Sequence, residues 1–342
     1  MIHSLGWILA ILLVLATLGF LYQVWGSRKD ARRFPAPGRL VDIGTHRLHL
    51  LETGSGSPTI LLEAGLMSTV LSWTELQHAL SASYRVVSYD RAGLGWSDLG
   101  PMPRTADRIV TELHALLDCA KIPPPYILVG HSFGGLTMPQ FAACYPDEVA
   151  GIVLVDPVAP REWDPPSAHD LKQALIGAAI CRRASLLARI GLLRFIAAML
   201  QSGIRKPAGS LVRLISRGAP GESGTVSSPW FAALPDSEKK MAAVFWTQPK
   251  FALTIASQLE SLPASAAQTA RLGAYSENPV CILSASTAPE RRHAEHQAMA
   301  GRLPRGSFVL AANSNHWIMQ GDLALVLRAI EDVIASRSFK QP

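Results

Sequence analysis

The amino-acid sequence predicts an α/β fold with a mostly parallel sheet, and three observations support this fold class. Eight short apolar runs alternate with segments of helical periodicity between residues 39 and 337. Two of the runs, Ile127–Val129 and Ile152–Val155, are apolar at every position, which is typical of strands covered on both faces. A serine between glycines follows one of these runs, where a strand would turn into a helix. A parallel sheet wrapped by helices accounts for all three observations.

The first element along the chain is an uncharged apolar segment from Leu5 to Trp25. As a helix it would span roughly 30 Å, the thickness of the hydrocarbon core of a bilayer. Trp7 and Tyr22 lie near its ends, where aromatic side chains favour the membrane interface. A cleaved signal peptide is the alternative, but a basic n-region and an A-x-A site are missing and the apolar run is too long. We therefore expect residues 1–27 to form a single-pass transmembrane anchor.

A basic linker is predicted to follow the anchor over residues 28–38. It carries four cations and one anion, with two prolines near its end: Arg28, Lys29, Arg32 and Arg33, then Asp30, then Pro35 and Pro37. Because positive charge flanks membrane helices on the cytoplasmic side, the rest of the chain is expected on the cytoplasmic face.

The remaining elements follow from periodicity and turn residues. The predicted strands are Arg39–Ile43, Arg47–Glu52, Thr59–Ala64, Arg85–Tyr89, Tyr126–Val129, Gly151–Val155, Val280–Ser284 and Ser307–Ala311. The predicted helices include Thr105–Ala120, Phe133–Cys144, Arg291–Ala300 and Asp322–Ser336, the last with Asp322 as its N-cap. Residues 160–273 show helix-like patterns and no strand run, so they are expected to form a helical insertion. Residues 39–159 and 274–342 then form the α/β core.

Charge is unevenly distributed along this chain of 342 residues and net charge +6. Between Lys172 and Arg217 the insertion carries nine basic residues and no acidic one. No recognition module for nucleic acid accompanies them, so a nucleic-acid partner is not expected. Anionic lipid headgroups would explain both basic segments, and a solvated helical face is the alternative for the insertion. The four cysteines have neither disulfide-framework nor zinc spacing, so no metal is expected.

The residues from Gly130 to Gly135 read G-H-S-F-G-G and form the most informative motif. Small residues such as Gly130 and Gly134 allow a strand-to-helix turn so tight that Ser132 projects from the end of the sheet. This G-x-S-x-G pattern is a nucleophile elbow when a strand precedes it and a helix follows it. A glycine-rich turn with an incidental serine is the alternative.

A serine hydroxyl becomes a strong nucleophile only when a base takes its proton, and histidine has a suitable pKa for this task. His316 lies in a polar loop, N-S-N-H-W, between the last strand and the last helix. Such a loop allows an imidazole to reach Ser132. His131 adjoins Ser132 but should point away from it at so sharp a turn. Three other histidines fall within strand or helix patterns and are expected to be structural: His49, His78 and His114.

Together these motifs resemble the α/β-hydrolase fold family, in its broad esterase, lipase and peptidase-like group. The resemblance runs from about Arg39 to Arg337 and puts the insertion in the usual cap position, after the sixth strand of an eight-stranded sheet. Residues Arg91–Asp98 are similar to the family's D-x-G-x-G-x-S loop, which shapes the rim of the active site. A glycine-rich turn at a strand end describes them equally well.

The family order of catalytic residues is serine, acid, histidine. The acid usually follows the seventh strand, where this chain has Ala288 and then Glu290. In some members it follows the sixth strand, where Asp156 stands. Asp156 is therefore the expected acid and Glu290 the alternative. The alternative for Asp156 is a purely structural role, in which its side chain caps the end of the strand.

The resemblance also implies an oxyanion hole, formed by the backbone N–H groups of Phe133 and Leu66. Ala64-Gly65 replaces the family's usual His-Gly pair, but a backbone donor does not need that side chain. Epoxide hydrolases and dehalogenases of this fold use an aspartate nucleophile, where this chain has Ser132. The expectation is a serine hydrolase that cleaves a carboxylic ester, with lipidic esters among the candidates, without a cofactor.

Two other functions stay open at this point. An amide, aminoacyl or carbon–carbon bond hydrolase would use the same triad, and a non-catalytic ligand-binding protein of this fold would retain it. The expected partners are a small-molecule acyl substrate and membrane lipids, bound through the N-terminal helix and, as a second candidate, through the basic cap.

Overall fold

The computed structural model describes residues 2–204, 234 and 236–337. Eight strands form one sheet: β1 Arg39–Asp42, β2 Arg47–Thr53, β3 Thr59–Glu63, β4 Arg85–Asp90, β5 Tyr126–His131, β6 Val149–Val155, β7 Val280–Ala285 and β8 Gly306–Ala311. Their spatial order is β1-β2-β4-β3-β5-β6-β7-β8. The pairs β1–β2 and β2–β4 are antiparallel and all others are parallel. Every predicted strand is present, with ends that differ by at most two residues.

Helices precede the sheet, flank it and form the insertion. They are α1 Ile2–Arg33, α2 Thr74–Leu80, α3 Ala106–Ala120, α4 Gly134–Cys144, α5 Pro160–Trp163, α6 Ala168–Arg189, α7 Leu192–Gln201, α8 Asp236–Trp246, α9 Pro249–Glu260, α10 Leu262–Ala270, α11 Glu290–Gly301, α12 Ile318–Gly321 and α13 Leu323–Arg337. Asp322 accepts a hydrogen bond from the Leu325 amide (3.0 Å), which is the N-cap geometry predicted for the last helix.

The central strands are buried on both faces, because successive side chains point to opposite sides of a strand. In β5, Leu128 belongs to the core beneath α3 and α4, whereas Ile127 and Val129 belong to the core beneath α2 and α13. Each of these three side chains is fully buried. The continuous apolar runs in the sequence therefore reflect a sheet that has a helical layer on each side.

In its described residues, the insertion after β6 consists of the helices α5 to α10 joined by turns, and it adds no strand to the sheet. Residues 205–233 and 235 lie outside the described residues, and they include the C-terminal end of the predicted basic stretch near Arg217. The long helices α6 and α9 pack along each other, and α10 contacts α3 and α4 of the core.

The four cysteines are free thiols, and only Cys281 is buried.

The N-terminal helix differs from its prediction at its C-terminal end. A linker was expected over residues 28–38, but α1 continues to Arg33, so the first six of those residues are helical. The helix continues because nothing in the sequence interrupts it before Pro35, where the pyrrolidine ring cannot extend a helix. Most side chains between Ser4 and Leu18 are exposed, and the helix is long and apolar enough to cross a membrane.

The first turn of α4 approaches the chain after β6 so closely that only glycine fits at position 135. A Cβ there would lie 2.4 Å from Cβ of Pro157 and 2.8 Å from the carbonyl oxygen of Val158. We predict that Gly135→Ala lowers the stability of the full-length protein by about 1–3 kcal/mol, as overpacking of a close contact does. The measurement is thermal unfolding in detergent.

Gly301→Ala is the matched control, because a Cβ at that helical position meets nothing within 4 Å. The control should unfold at the wild-type temperature or slightly above it, since alanine favours helix more than glycine does. Equal unfolding temperatures for Gly135→Ala and Gly301→Ala would contradict the packing argument.

Candidate active site

Ser132 lies at the turn between β5 and α4, in a backbone conformation that is unusual for serine. Its φ is +52°, and its amide donates to the Val155 carbonyl (3.1 Å) at the end of the neighbouring strand. A Cβ on Gly130 would lie 2.8 Å from Cγ of Met138, so glycine is required there for α4 to turn back against β5. The turn holds the serine hydroxyl at the carboxyl edge of the sheet, as the sequence motif predicts.

His316 approaches Ser132 from the loop between β8 and α12. Its Nε2 is 3.0 Å from Ser132 Oγ, and its Nδ1 is 2.6 Å from Asp156 Oδ2. The side chain of His316 is 39% exposed, whereas that of Asp156 is 1% exposed. The three residues thus form one continuous chain of hydrogen bonds that begins in the interior and ends where a substrate has access.

Asp156 follows β6 directly and has a positive φ of 42°. Its amide donates to the Leu283 carbonyl (2.8 Å), and its Oδ1 accepts the amide hydrogen of Ala285 (3.0 Å). Burial favours the neutral acid, but hydrogen bonds from His316 and from the Ala285 amide outweigh it, and the pKa of Asp156 is lowered. The carboxylate is therefore held in its charged form and in a fixed orientation.

The alternative acid lies elsewhere. Glu290 is the first residue of α11 and is exposed to solvent. Ala288, at the family's more common acid position, is partly buried against the core beneath α13. The structure brings Asp156 to His316, and it leaves Glu290 at the surface.

His131 is fully buried, and its ring makes no hydrogen bond to Ser132. Its Nε2–H donates to the backbone carbonyl of His316 (2.9 Å), and its ring lies 4.6 Å from the rings of both His316 and Trp317, centroid to centroid. Burial, with a smaller contribution from His316, lowers the pKa of His131 to about 3. A neutral imidazole therefore supports the loop that carries His316, a contact that the sequence motif does not reveal.

The loop after β3 lies beside the serine. A Cβ on Gly65 would be 3.1 Å from Cβ of Ser132 and 2.8 Å from Nδ1 of His131, so only glycine permits this approach. Leu66 follows in this loop, and Phe133 follows Ser132 at the start of α4. Within the described part of the chain, the amide N–H groups of Leu66 and Phe133 have no hydrogen-bond partner in the protein. Both remain available to bind an anion.

Arg91 holds this loop in place, and the sequence does not indicate that role. Its guanidinium donates to Glu63 (2.6 Å), to the carbonyl of Ala64 (2.7 Å) and to the carbonyl of Gly65. The same group lies 5.1 Å from the centroid of the Phe133 ring. Arg91 is 3% exposed and Glu63 is fully buried. One buried cation thus contacts the backbone next to Leu66 and the side chain of Phe133.

Other histidines have structural partners. The buried His49 pairs with Asp90 (Nδ1–Oδ2, 2.8 Å), and the ring of His114 stacks on Tyr145 at a centroid distance of 3.7 Å. Among the residues that the structure describes, no group of three or more histidine, cysteine or acidic side chains could hold a metal ion. The chemistry that this arrangement supports is proton transfer from a serine hydroxyl to an imidazole, next to two amides that can bind an oxyanion.

The chain is similar to curated proteins over part of its length. It is 43% identical to efuK of Hormonema carpetanum, a protein named as a transporter, over 125 residues that cover 34% of this chain and 18% of efuK. It is 30% identical to human Epoxide hydrolase 4 over 145 residues, which cover 38% of this chain and 39% of that protein. The matched part thus spans less than half the length of these relatives.

Solved structures match most of the chain. An esterase from Thermogutta terrifontis has a TM-score of 0.62 at 22% identity, covering 87% of this chain and 99% of the esterase. A laboratory-evolved variant of the potato epoxide hydrolase StEH1 has a TM-score of 0.65 at 18% identity, covering 87% and 98%. The family model for the alpha/beta hydrolase fold matches residues 58–320, well over half of the sequence. The protein therefore belongs to the α/β-hydrolase fold family.

Proposed function

We propose that the protein is a serine hydrolase that cleaves a carboxylic ester through an acyl-enzyme on Ser132. The observation that carries this proposal is the chain of hydrogen bonds from Asp156 through His316 to Ser132, with distances of 2.6 and 3.0 Å. A serine needs a base within hydrogen-bond reach, and the base needs a group that orients it. Both requirements are satisfied by residues from three separate segments of the chain.

The reaction follows from these contacts. His316 Nε2 takes the hydroxyl proton as Ser132 Oγ bonds to the acyl carbon, and the imidazolium then gives that proton to the departing alkoxide. Water next attacks the acyl-enzyme while His316 accepts a proton from it; the bond between the acyl carbon and Ser132 Oγ then breaks, the imidazolium returns the proton to Oγ, and the acid product leaves. Asp156 accepts the Nδ1 hydrogen, which fixes the tautomer of His316 and stabilises its cationic form.

The tetrahedral intermediate carries a negative charge on the former carbonyl oxygen. The amides of Leu66 and Phe133 are the proposed donors to this oxygen, and the Phe133 amide also lies at the positive end of the α4 dipole. Removal of one such donor typically lowers the rate about 10²–10³-fold. We assign Arg91 a positioning role, because it keeps the loop of Leu66 at the distance that this interaction needs.

Acyl chemistry is favoured over the epoxide chemistry named for some of the relatives. Within this fold, epoxide hydrolases form an alkyl-enzyme on an aspartate, whereas position 132 is a serine. An amide or carbon–carbon bond substrate would use the same three residues, and a panel of matched esters and amides distinguishes these substrates.

We also propose that α1 anchors the enzyme in a membrane, with the catalytic domain on the cytoplasmic side. The helix makes specific polar contacts with the cap, which supports its being a permanent part of the fold and not a removed leader. Gln23 is 4% exposed and donates to the Thr247 carbonyl (3.1 Å), and Arg194 of α7 pairs with Asp30. The exposed apolar half of α1 is long enough to enter a bilayer.

Labelling of Ser132 tests the nucleophile. A fluorophosphonate probe should label the wild-type protein and fail to label Ser132→Ala, because the probe reacts only with an activated serine hydroxyl. The matched control is Ser81→Ala, which removes an exposed hydroxyl that is bonded only to the His78 carbonyl. Persistent labelling of Ser132→Ala, with the label located elsewhere, would contradict the proposal.

Two substitutions of a carboxylate by the corresponding amide test which acidic residue orients His316. Asp156→Asn should lower kcat about 10⁴-fold, because the neutral amide no longer fixes the required tautomer of the imidazole. Glu290→Gln, at an exposed residue, should leave kcat within about twofold of wild type, as surface changes away from the site usually do. Hydrolysis of a small soluble ester is the assay. The opposite ranking of the two variants would assign the acid to Glu290.

Two buried arginine–glutamate pairs provide a matched test of the positioning residue. Arg91→Lys keeps the charge but loses the forked geometry, so kcat should fall by about 10²-fold with little change in KM. The control, Arg104→Lys, disrupts the other pair. Arg104 is fully buried, binds Glu112 and does not contact the serine turn. This control should lower the unfolding temperature and leave kcat near wild type. Equal kcat losses in both variants would indicate a merely structural role for Arg91.

A further inference from the structure

A groove runs between the anchor helix and the cap, and none of the candidate active-site residues lines it. One face of α1 forms one wall, and the helices α7 and α8 form the other. The groove encloses a cavity of about 560 Å³. Because α1 leads towards the membrane, this cavity lies where the protein would meet the bilayer surface.

The two ends of the groove differ in chemistry. Tyr22 and Trp25 of α1 line the end nearer the exposed apolar half of the helix, and the small side chains of Ala197 and Ala198 of α7 are also part of the lining. Five cationic side chains also line the groove: Lys29, Arg33, Arg194, Lys239 and Lys240. The groove therefore changes from apolar to basic along the axis of α1.

The cationic side chains that line the groove outnumber the acidic ones. Asp30 is the acidic residue in its lining, and Arg194 already pairs with it. Lys239 is 3.5 Å from Asp236, whose side chain is 90% exposed, so this contact is weak. Nζ of Lys29 lies 5.2 Å from the centroid of the Trp25 ring, which holds this ammonium beside the indole. An anionic group would complement the excess positive charge.

The position of the groove along α1 matches the layers of a bilayer. Trp25 ends the uncharged segment, and indole rings favour the interface. At 1.5 Å per residue, Lys29 and Arg33 lie about 6 and 12 Å beyond Trp25, which is the headgroup region. Tyr22 lies about 5 Å on the other side, at the edge of the hydrocarbon.

The walls of the groove are held together by close contacts, so the groove exists before any ligand binds. A Cβ on Gly19 would lie 2.2 Å from the carbonyl oxygen of Ile190, and a Cβ on Gly26 would lie 2.6 Å from Cδ of Arg194. Arg194 also donates to Gln23 (3.1 Å). Glycine at position 19 is what lets the backbone of the cap approach α1 this closely.

The same contacts bring apolar side chains of the cap to the level of the bilayer. Gly19 lies about 9 Å from Trp25 towards the hydrocarbon, and it touches the turn between α6 and α7. Exposed apolar residues flank that turn: Leu186, Ile190 and Phe195. A membrane that surrounds α1 would cover these side chains as well. The groove would then open into the leaflet of the bilayer that lies next to Trp25.

We propose that this groove binds one anionic phospholipid of the leaflet that adjoins Trp25. The phosphate lies among Lys29, Arg33, Lys239 and Lys240, and an acyl chain passes Tyr22 and Trp25. The site rests on the proposed membrane anchoring of α1, but it does not depend on the chemistry at Ser132. The lipid would fix the cap relative to the membrane surface.

The test uses the full-length protein in nanodiscs of phosphatidylcholine that contain some phosphatidylglycerol. After gentle release into detergent, native mass spectrometry should find one phosphatidylglycerol retained per protein. The groove variant Lys29→Gln/Lys239→Gln/Lys240→Gln should lower the enrichment of phosphatidylglycerol over phosphatidylcholine on the order of 100-fold, at about fivefold per cation. The control variant Arg161→Gln/Arg271→Gln/Arg302→Gln removes as many exposed charges outside the groove and should retain the lipid.

Three results would overturn the proposal. The first is equal retention of phosphatidylglycerol by the wild type and the groove variant. The second is retention of phosphatidylcholine as strong as that of phosphatidylglycerol, and the third is binding of inorganic phosphate alone with equal strength. A chain that stays outside the nanodisc would refute the anchor and the lipid site together. Hydrolysis of a soluble ester, measured on the same samples, reports separately on Ser132.

Discussion

The buried carboxylate of Asp156 is the contact on which the candidate site depends. It joins the ends of β6 and β7 through the Ala285 amide, and it holds His316 from the loop after β8. The parallel sheet makes this possible, because the carboxyl ends of β5, β6 and β7 meet at one edge. A carboxylate that is 1% exposed and accepts two hydrogen bonds stays charged and fixed, which is the state needed to orient an imidazole.

The opposite side of the serine depends on a second buried charge. Arg91 follows β4 and binds the carbonyls of the loop after β3, while its guanidinium lies over the Phe133 ring. Two buried polar contacts therefore order the candidate site, one at the hydrogen-bonded chain of Asp156, His316 and Ser132 and one at the loop of Leu66 and the Phe133 ring. Each buried charge has a partner within the protein, since Asp156 accepts hydrogen bonds from His316 and the Ala285 amide and Arg91 pairs with Glu63.

The N-terminal helix α1, the cap and the core form a connected structure. Asp30 and Gln23 contact the cap through Arg194 and Thr247, and α10 of the cap packs on α3 and α4, next to the serine turn. The position of α1 is therefore coupled to the helices that cover the sheet edge. For a membrane-bound hydrolase, this coupling would set the height and orientation of the site above the lipid surface, and with it the class of substrate that can enter.

Local sequence determined the features that need only neighbouring residues. The eight strands follow from apolar runs, the serine turn from Gly130 and Gly134, and the N-cap of the last helix from Asp322. Only the tertiary structure shows that Asp156, and not Glu290, lies against His316, that Arg91 and His131 support the neighbouring loops, and that the end of α1 packs on the cap. These contacts join residues far apart in sequence, 160 positions for His316 and Asp156, and their formation depends on how the sheet and helices pack. The periodicity of apolar residues in the sequence indicates which side of a helix or strand is buried, but it does not give the distance between two such elements.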